Sequence, residues 1–482
     1  MSLIRIKNYI GGRLVDPVSD NWRPNHEPAT GNVYSEVPDS GTEDVANAVD
    51  AAEVALETWS RSPVDQRVEV LHRLADLIDQ NREELVVLES RDNGKPESLA
   101  RMIDIPRCSK NIRFFANLAM GAAAESHAMP DAINYTLRQP VGIVTCISPW
   151  NLPLYLFTWK IAPALATGNC VIGKPSEVTP MSAFRFSELC IEAGMPDGVL
   201  NIIHGSGATT GNALLEEPRI SAVSFTGSTT TGKHIASVVS PQFKKLSLEL
   251  GGKNPNLIFA DCNYDQMLET TLRSSFANQG QICLCGSRIL VERSIYDRFR
   301  NDLVERAKQI KVGDPQTPDS VLGAMVSQPH YQKVLDCIEL ARSEGGQVLC
   351  GGKSAKVEGR CQNGWFIEPT VIEGLPNDCQ TNQQEIFGPV VTLQPFDSDH
   401  HALEMANATR YGLSATVWTQ DVSRANWLAD RLQCGVVWVN CWLIRDLRTP
   451  FGGYKQSGVG REGGLEAMRF FTETKNVCIK YL

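Results

Sequence analysis

The chain predicts an α/β protein built from more than one domain, and three observations carry that expectation. Between residues 141 and 260, short apolar runs alternate with amphipathic segments. A second alternation begins at Asn256-Leu257-Ile258-Phe259 and continues to about residue 440. The chain has 482 residues, too many for one hydrophobic core, so two or three domains are expected.

Taken in order, Glu43 to Trp59 and Val64 to Ser90 place Ala and Leu at helical spacing and predict long helices covering one face of a sheet. The runs Val141 to Ile147, Cys170 to Gly173, Val199 to Ile203, Ala222 to Phe225 and Leu246 to Leu250 predict strands. Met181 to Ala193 and Thr230 to Val239 predict the helices between them. Strand, helix, strand in this rhythm implies a parallel sheet with crossover helices, the pattern of a dinucleotide fold. Gly31-Asn32, Asp197-Gly198 and Gly351-Gly352 mark turns. There is no internal repeat or low-complexity tract.

Apolar residues make up 42% of the chain and charged residues 21%, ordinary values for a globular protein. A net charge of −9 gives no electrostatic reason to bind nucleic acid or anionic membrane. Met1 to Asn8 carries charges where a signal peptide needs an apolar stretch, and no run is long enough to span a bilayer. The fourteen cysteines are scattered rather than framed, which suits free thiols in a reducing compartment; cytosol is the expectation.

One cysteine stands apart. Cys283 closes Phe276-Ala277-Asn278-Gln279-Gly280-Gln281-Ile282-Cys283, a polar run that interrupts a helical stretch. Glu249 lies upstream in Leu248-Glu249-Leu250-Gly251-Gly252-Lys253. A thiol and a carboxylate, each beside glycines, suggest covalent catalysis followed by activation of water. Cys283 taken alone would read as a buried inert thiol. Cys285 competes with it, but Cys-x-Cys is too close for paired zinc ligands and no second pair or His cluster accompanies it, so no metal is expected. The eight histidines form no Ser/His/Asp arrangement.

Two glycine-rich turns follow predicted strands. Gly205 to Gly211 has the wrong final spacing for a GxGxxG fingerprint. Gly227-Ser228-Thr229-Thr230-Thr231-Gly232 is better placed: glycine admits a phosphate, Ser228 can cap the helix, and the free N–H groups attract an anion. The same stretch nearly spells a P-loop, but His234 stands where Ser or Thr must hold magnesium. In isolation a capped helix without ligand explains the turn equally well.

The Cys283 and Glu249 segments, with Pro149-Trp150-Asn151-Leu152-Pro153 and Phe225-Thr226-Gly227-Ser228-Thr229, resemble the aldehyde dehydrogenase superfamily, in its order and from about Asn8 to the C-terminus. The resemblance implies an aldehyde dehydrogenase-like fold: a Rossmann-type NAD-binding domain (1–122 and 140–251), an α/β catalytic domain (252–466) and a small β oligomerisation arm (123–139 and 467–482). It implies a homodimer or homotetramer, with the arm extending a neighbouring subunit's sheet. Cys283 would be the nucleophile, Glu249 the base that activates water, and Asn151 with the Cys283 backbone N–H the donors to the developing oxyanion. The implied cofactor is NAD. Lys174, Ser176 and Glu177 would meet its adenosine ribose, and a carboxylate at Glu177 disfavours the 2′-phosphate of NADP. Ile147, Trp150, Gly207, Phe225, Gly227, Ser228 and Leu250 would line the same site. Glu385 would hold the second ribose and Phe387 would pack near the nicotinamide. Lys160 and Glu462 match positions that modulate the proton path, although an ordinary ion pair accounts for Glu462 as well.

Asp104-Ile105-Pro106-Arg107, Asn440 to Leu447 and Ser148 to Leu156 resemble the subgroup that oxidises 2-aminomuconic and 2-hydroxymuconic semialdehydes. That resemblance makes Arg107 and Arg445, with Asn151, the substrate-binding residues, the two arginines gripping a carboxylate at the far end of a short unsaturated semialdehyde. The kynurenine branch of tryptophan catabolism supplies such a molecule. The alternatives are structural ion pairs for the arginines, a retinal-type or betaine-type aldehyde as substrate, acyl transfer to coenzyme A, or a non-enzymatic descendant of the fold.

Overall fold

All five runs predicted as strands between residues 141 and 250 lie in one sheet. The computed structural model describes residues 3–481. Its larger sheet has eight strands in the order Gly458–Val459, Lys245–Glu249, Ile220–Thr226, Ile143–Ile147, Cys170–Lys174, Leu200–Ile202, Asn8–Ile10 and Arg13–Val15. The five central strands are parallel and the outer ones antiparallel. Ile143–Ile147 and Cys170–Lys174 are buried at every position, which is why they read as continuous apolar runs rather than as alternations. Helices Thr42–Trp59, Pro153–Ala166 and Met181–Glu192 pack on this sheet through Val45, Val49, Phe157 and Phe186 in the main core.

The helical pattern from Val64 to Ser90 is two helices, Val64–Gln80 and Arg82–Asn93. Asn81 breaks it. Its side chain donates to the Leu77 carbonyl at 2.9 Å and so competes for the acceptor that helix continuation needs. Residues 100–104 form a π-helix leading into Ile105–Met120, an irregularity the spacing did not announce.

The second alternation forms a seven-stranded sheet in the order Gln347–Cys350, Thr370–Glu373, Val390–Phe396, Arg288–Glu292, Pro255–Ile258, Ser414–Trp418 and Val436–Val439. Only Gln347–Cys350 pairs antiparallel. Ser126–Ala128, Ala132–Pro140 and Thr472–Lys480 make a separate three-stranded sheet. Residues 1, 2 and 482, included in the sequence-based division and in the reading of Met1 to Asn8, lie outside the described residues.

Early and late segments of the chain close opposite edges of the first sheet. Gly458–Val459 pairs with Lys245–Glu249, placing Gly458 beside Glu249. Helix Gly464–Phe470 follows, and its Ala467 and Met468 enter the core shared with Ile105–Met120 and Pro153–Ala166. Among the described residues no helix is long and apolar enough to cross a membrane, and no group of His, Cys, Asp or Glu could hold a metal ion.

Candidate active site

Helix Tyr264–Phe276 stops short of the thiol because three consecutive residues turn left-handed: Asn278 (φ 51°), Gln279 (φ 56°) and Gly280 (φ 68°). Such backbone costs on the order of 1–2 kcal/mol per non-glycine residue, so neighbours must hold it. Gln279 does so from both ends of its amide, donating to the Ala324 carbonyl at 3.1 Å and accepting from the Gly323 N–H at 3.2 Å. Gln281 accepts from the Val326 N–H at 3.1 Å. Gly280 is required: a Cβ there would lie 2.0 Å from the Gly388 carbonyl oxygen. The turn thus presses the thiol loop against the loop of Glu385 and Phe387.

Cys283 emerges half-buried into a cavity it shares with Gly252, Glu385 and Phe387. Burial, and then the charges of Glu385 and Glu249, push its thiol above the ordinary range. Cys285 faces the core and is pushed up to about 12 by burial. Both thiols border the same cavity, but Cys283 is the more exposed of the two and Cys285 is buried in the apolar cluster behind it.

Asn151 sits between strand Ile143–Ile147 and helix Pro153–Ala166, whose first residue is a proline suited to that position. Its side-chain amide donates to the Gln281 carbonyl at 3.0 Å, two residues before Cys283. One N–H of that amide remains to serve a substrate oxygen.

Glu249 ends the strand next to the one that carries Phe225. It is buried, and neither carboxylate oxygen has a hydrogen-bond partner. Burial, followed by the like charge of Glu462, holds its carboxyl well above the usual range. Behind it, Glu462 pairs with Lys160 at 2.7 Å and accepts from the Trp159 indole at 2.8 Å. Lys160 also donates to Ser224 at 3.2 Å. The sequence left Glu462 open between a proton relay and an ion pair. It is a buried ion pair, and it stands close enough to Glu249 to perturb it.

The residues that the family resemblance assigned to the cofactor fall on two walls. On one, the Ser228 hydroxyl caps helix Thr229–Val239 by accepting from the Thr231 N–H at 3.1 Å. A Cβ on Gly227 would lie 2.4 Å from the Phe225 ring, so any side chain there would have to displace that ring. Ile147, Phe225 and Leu250 share one apolar cluster beside it. Lys174 pairs with Glu177 at 3.5 Å. Burial works to raise the Glu177 carboxyl, but Lys174 and backbone N–H groups, Gly207 among them, outweigh it and leave the group below its ordinary value. Ser176 accepts from the Val178 N–H at 3.4 Å and keeps that loop closed. On the other wall, Glu385 accepts from the Gly252 N–H at 2.9 Å, and its approach depends on Gly251, where a Cβ would meet the carboxylate at 2.3 Å. Phe387, itself left-handed at φ 61°, packs edge-on to Trp150 with ring centroids 5.2 Å apart.

Sequence reading missed His330. Its ring lies 4.9 Å from Trp150 and its Nε2 is 2.7 Å from the Phe387 carbonyl oxygen, so it braces both aromatic residues. Nothing in Gln328-Pro329-His330 advertises this. Asn93 and Lys95 were also missed, although Gly94 between them marks the end of a helix.

Arg107, in the first turn of Ile105–Met120, and Arg445, in the loop after Val436–Val439, converge from opposite ends of the chain. Their guanidinium carbons lie 5.8 and 4.6 Å from the centre of the Trp159 ring. Arg107 donates to Asn111 at 3.0 Å. Its Nη2, and the Nε and Nη2 of Arg445, are buried without partners. Burial lowers Arg445, and the Arg107 charge adds to that. Two cations with unsatisfied donors beside one indole have the chemistry to receive an anion.

Residues 15–477 match the aldehyde dehydrogenase family model. A 2-aminomuconic semialdehyde dehydrogenase of Danio rerio is 50% identical, covering 100% of this chain and 99% of that protein. A 2-hydroxymuconic semialdehyde dehydrogenase of Pseudomonas putida is 42% identical over 98% of this chain and 99% of its own length. The solved NAD+ complex of an aldehyde dehydrogenase from Bacillus cereus superposes with a TM-score of 0.96 at 38% identity, covering 99% of this chain and 96% of that one. On sequence over its whole length and on backbone alike, the chain belongs to the aldehyde dehydrogenase family.

Proposed function

We propose that this enzyme oxidises a short aldehyde bearing a distal carboxylate to the corresponding acid, with NAD as oxidant, and that its substrate is 2-aminomuconate 6-semialdehyde. NAD-dependent aldehyde oxidation follows from family membership. The choice of substrate rests on one observation above all, the unpaired guanidinium N–H groups of Arg107 and Arg445 around Trp159. The activity named for the Danio rerio and Pseudomonas putida relatives agrees with it. An apolar or cationic aldehyde would leave both arginines unsatisfied.

The residues fit the cofactor. Helix Thr229–Val239 offers free N–H groups to a pyrophosphate, Glu177 is held ionised to accept from ribose hydroxyls, and Glu385 stands beside the thiol. When bound, NAD supplies a hydride acceptor.

Cys283 first gives up its Sγ proton to solvent and then attacks the aldehyde carbon as a thiolate. Its carbon–sulfur bond forms as the carbonyl π pair moves to oxygen, where Asn151 Nδ2 and the Cys283 backbone N–H receive it. Loss of hydride from that carbon restores the carbonyl as a thioester. Glu249 takes a proton from water, the resulting hydroxide adds to the thioester, and the carbon–sulfur bond breaks to give the acid. The unpaired oxygens of Glu249 support hydrolysis over acyl transfer to another thiol.

The division into a nucleotide domain (1–122 and 140–251), a catalytic domain (252–466) and an arm (123–139 and 467–482) is part of this reading. So is a homodimer or homotetramer joined through the arm's open sheet edge, and a reducing, cytosolic compartment suited to fourteen free thiols.

The covalent scheme is tested by acid quench during turnover and mass analysis of the peptide from Gly280 to Arg288. An acyl adduct is expected in the native chain and none in Cys283→Ala. Full NADH production by Cys283→Ala would overturn the scheme.

A further inference from the structure

Three donors from two segments meet on one backbone oxygen. The carbonyl of Asn151 accepts from Lys95 Nζ at 3.0 Å, from Asn278 Nδ2 at 3.0 Å and from Asn93 Nδ2 at 3.4 Å. Lys95 is the only charged member of the trio, and its side chain is fully buried. Its ammonium is ion-paired with Asp104, which is equally buried. A second buried carboxyl, Glu89, accepts from the Leu154 N–H three residues beyond Asn151.

The thiol loop is tied to the same point. Gly94 and Gly323 are interlocked, with the Ala324 N–H donating to the Gly94 carbonyl at 2.8 Å. Segment 323–324 is also what Gln279 clamps. A route of direct hydrogen bonds and chain neighbours therefore runs from the left-handed turn before Cys283, through Gly94 and Lys95, to Asn151.

We propose that Lys95 is a positioning residue for the step in which the oxyanion forms. A buried ion pair is weak ground for stability, because apolar side chains of similar size can replace one at little cost. This pair spends its third partner on a peptide oxygen beside the site. With three donors on its carbonyl, the peptide that follows Asn151 cannot rotate. With one amide N–H already on the Gln281 carbonyl, the planarity of the amide fixes the direction of the other. Lys95 thereby aims the donor that meets the substrate oxygen, without touching substrate itself. The inference rests on the reading of Asn151 as that donor.

The test is a double-mutant cycle on the pre-steady-state NADH burst, measured in the full-length enzyme. Asn151→Ala comes first, and an unchanged burst would remove the oxyanion reading and this proposal with it. If Asn151→Ala slows the burst, Lys95→Met is expected to slow it by about tenfold or more, with KM for the aldehyde changed less than about threefold. In the Asn151→Ala background the same substitution is expected to cost less than about twofold further, because the donor it aims is gone. Lys95→Met leaves Asp104 buried and unpaired and can fail to fold. The pair Lys95→Met with Asp104→Leu removes both charges and carries the same expectation. A burst unaffected by loss of Lys95, or slowed by equal factors with and without Asn151, would overturn the proposal, since a merely structural residue gives the second pattern.

Discussion

Arg107 and Arg445 lie against a single indole, that of Trp159, with guanidinium carbons 5.8 and 4.6 Å from its centre. Each keeps at least one buried N–H group with nothing to donate to. Hydrogen bonds to a charged partner are worth about 1.5–3 kcal/mol each. Arg107→Ala or Arg445→Ala should therefore raise KM for a carboxylated semialdehyde by roughly ten- to hundredfold while leaving KM for a neutral aldehyde of equal length within a few-fold. Lysine at either position should restore only part of the loss, because a point charge cannot reproduce the fork. Steady-state assays on paired carboxylated and neutral aldehydes decide it, and equal effects on both would remove the carboxylate argument.

To serve as the proposed base, Glu249 must be ionised, yet burial and then the like charge of Glu462 raise its carboxyl well above the usual carboxylate range. Thioester hydrolysis should accordingly rise with pH along a limb displaced toward neutrality. Glu249→Gln should retain a burst of NADH and lose steady turnover by about 10²-fold or more. The linkage to stability has the opposite sign. Between the unfolded carboxylate value and the raised native one, the folded state holds a proton that the unfolded chain releases, so the Glu249 contribution to stability falls as pH rises through that window. Thermal melts from pH 5 to 8 should decline less steeply in Glu249→Gln than in the native enzyme.

After burial, the Glu385 charge is the largest influence raising the Cys283 thiol. Glu385→Gln removes it. Alkylation of Cys283 by iodoacetamide at pH 7.5 should then quicken by roughly two- to fivefold even as cofactor affinity drops. Alkylation that slows instead would mean that Glu385 does not face the thiol electrostatically.

Glu462→Gln should destabilise the protein by about 3–5 kcal/mol, because it strands the Lys160 ammonium in the interior. The same substitution removes a like charge from Glu249, so the pH limb of hydrolysis should move toward acid. A drop in melting temperature without that movement would leave the pair a purely structural one.

At Gly280 the backbone is left-handed and the Gly388 carbonyl blocks a side chain. Gly280→Ala should displace the thiol loop, lowering stability by about 2 kcal/mol or more and turnover by at least tenfold. Unchanged kinetics would show that the two loops are not rigidly coupled.

Much of this architecture was legible from the sequence because its strands are buried on both faces. Runs such as Cys170 to Gly173 have no alternation to misread, and Ser228 advertised its helix start. The reading of Cys283 as nucleophile came only from its neighbours and their resemblance to a family, since the surroundings that distinguish it from Cys285 are assembled from distant loops. Lys95, His330 and Gln279 were invisible for the same reason. Each works by reaching a backbone atom far away in sequence, and no local spacing encodes such a contact. The break at Asn81 was missed because polar residues on the outer face of a helix look alike until one turns back on the main chain.

Gly458–Val459 is the strand that seals the edge beside Glu249, and Glu462 follows it directly. Until this segment docks, Lys160 has no counter-ion and the sheet that carries Glu249 is open on one side. The surroundings of that carboxyl are therefore set by a long-range folding event, and a partly folded chain with its other elements in place still lacks them.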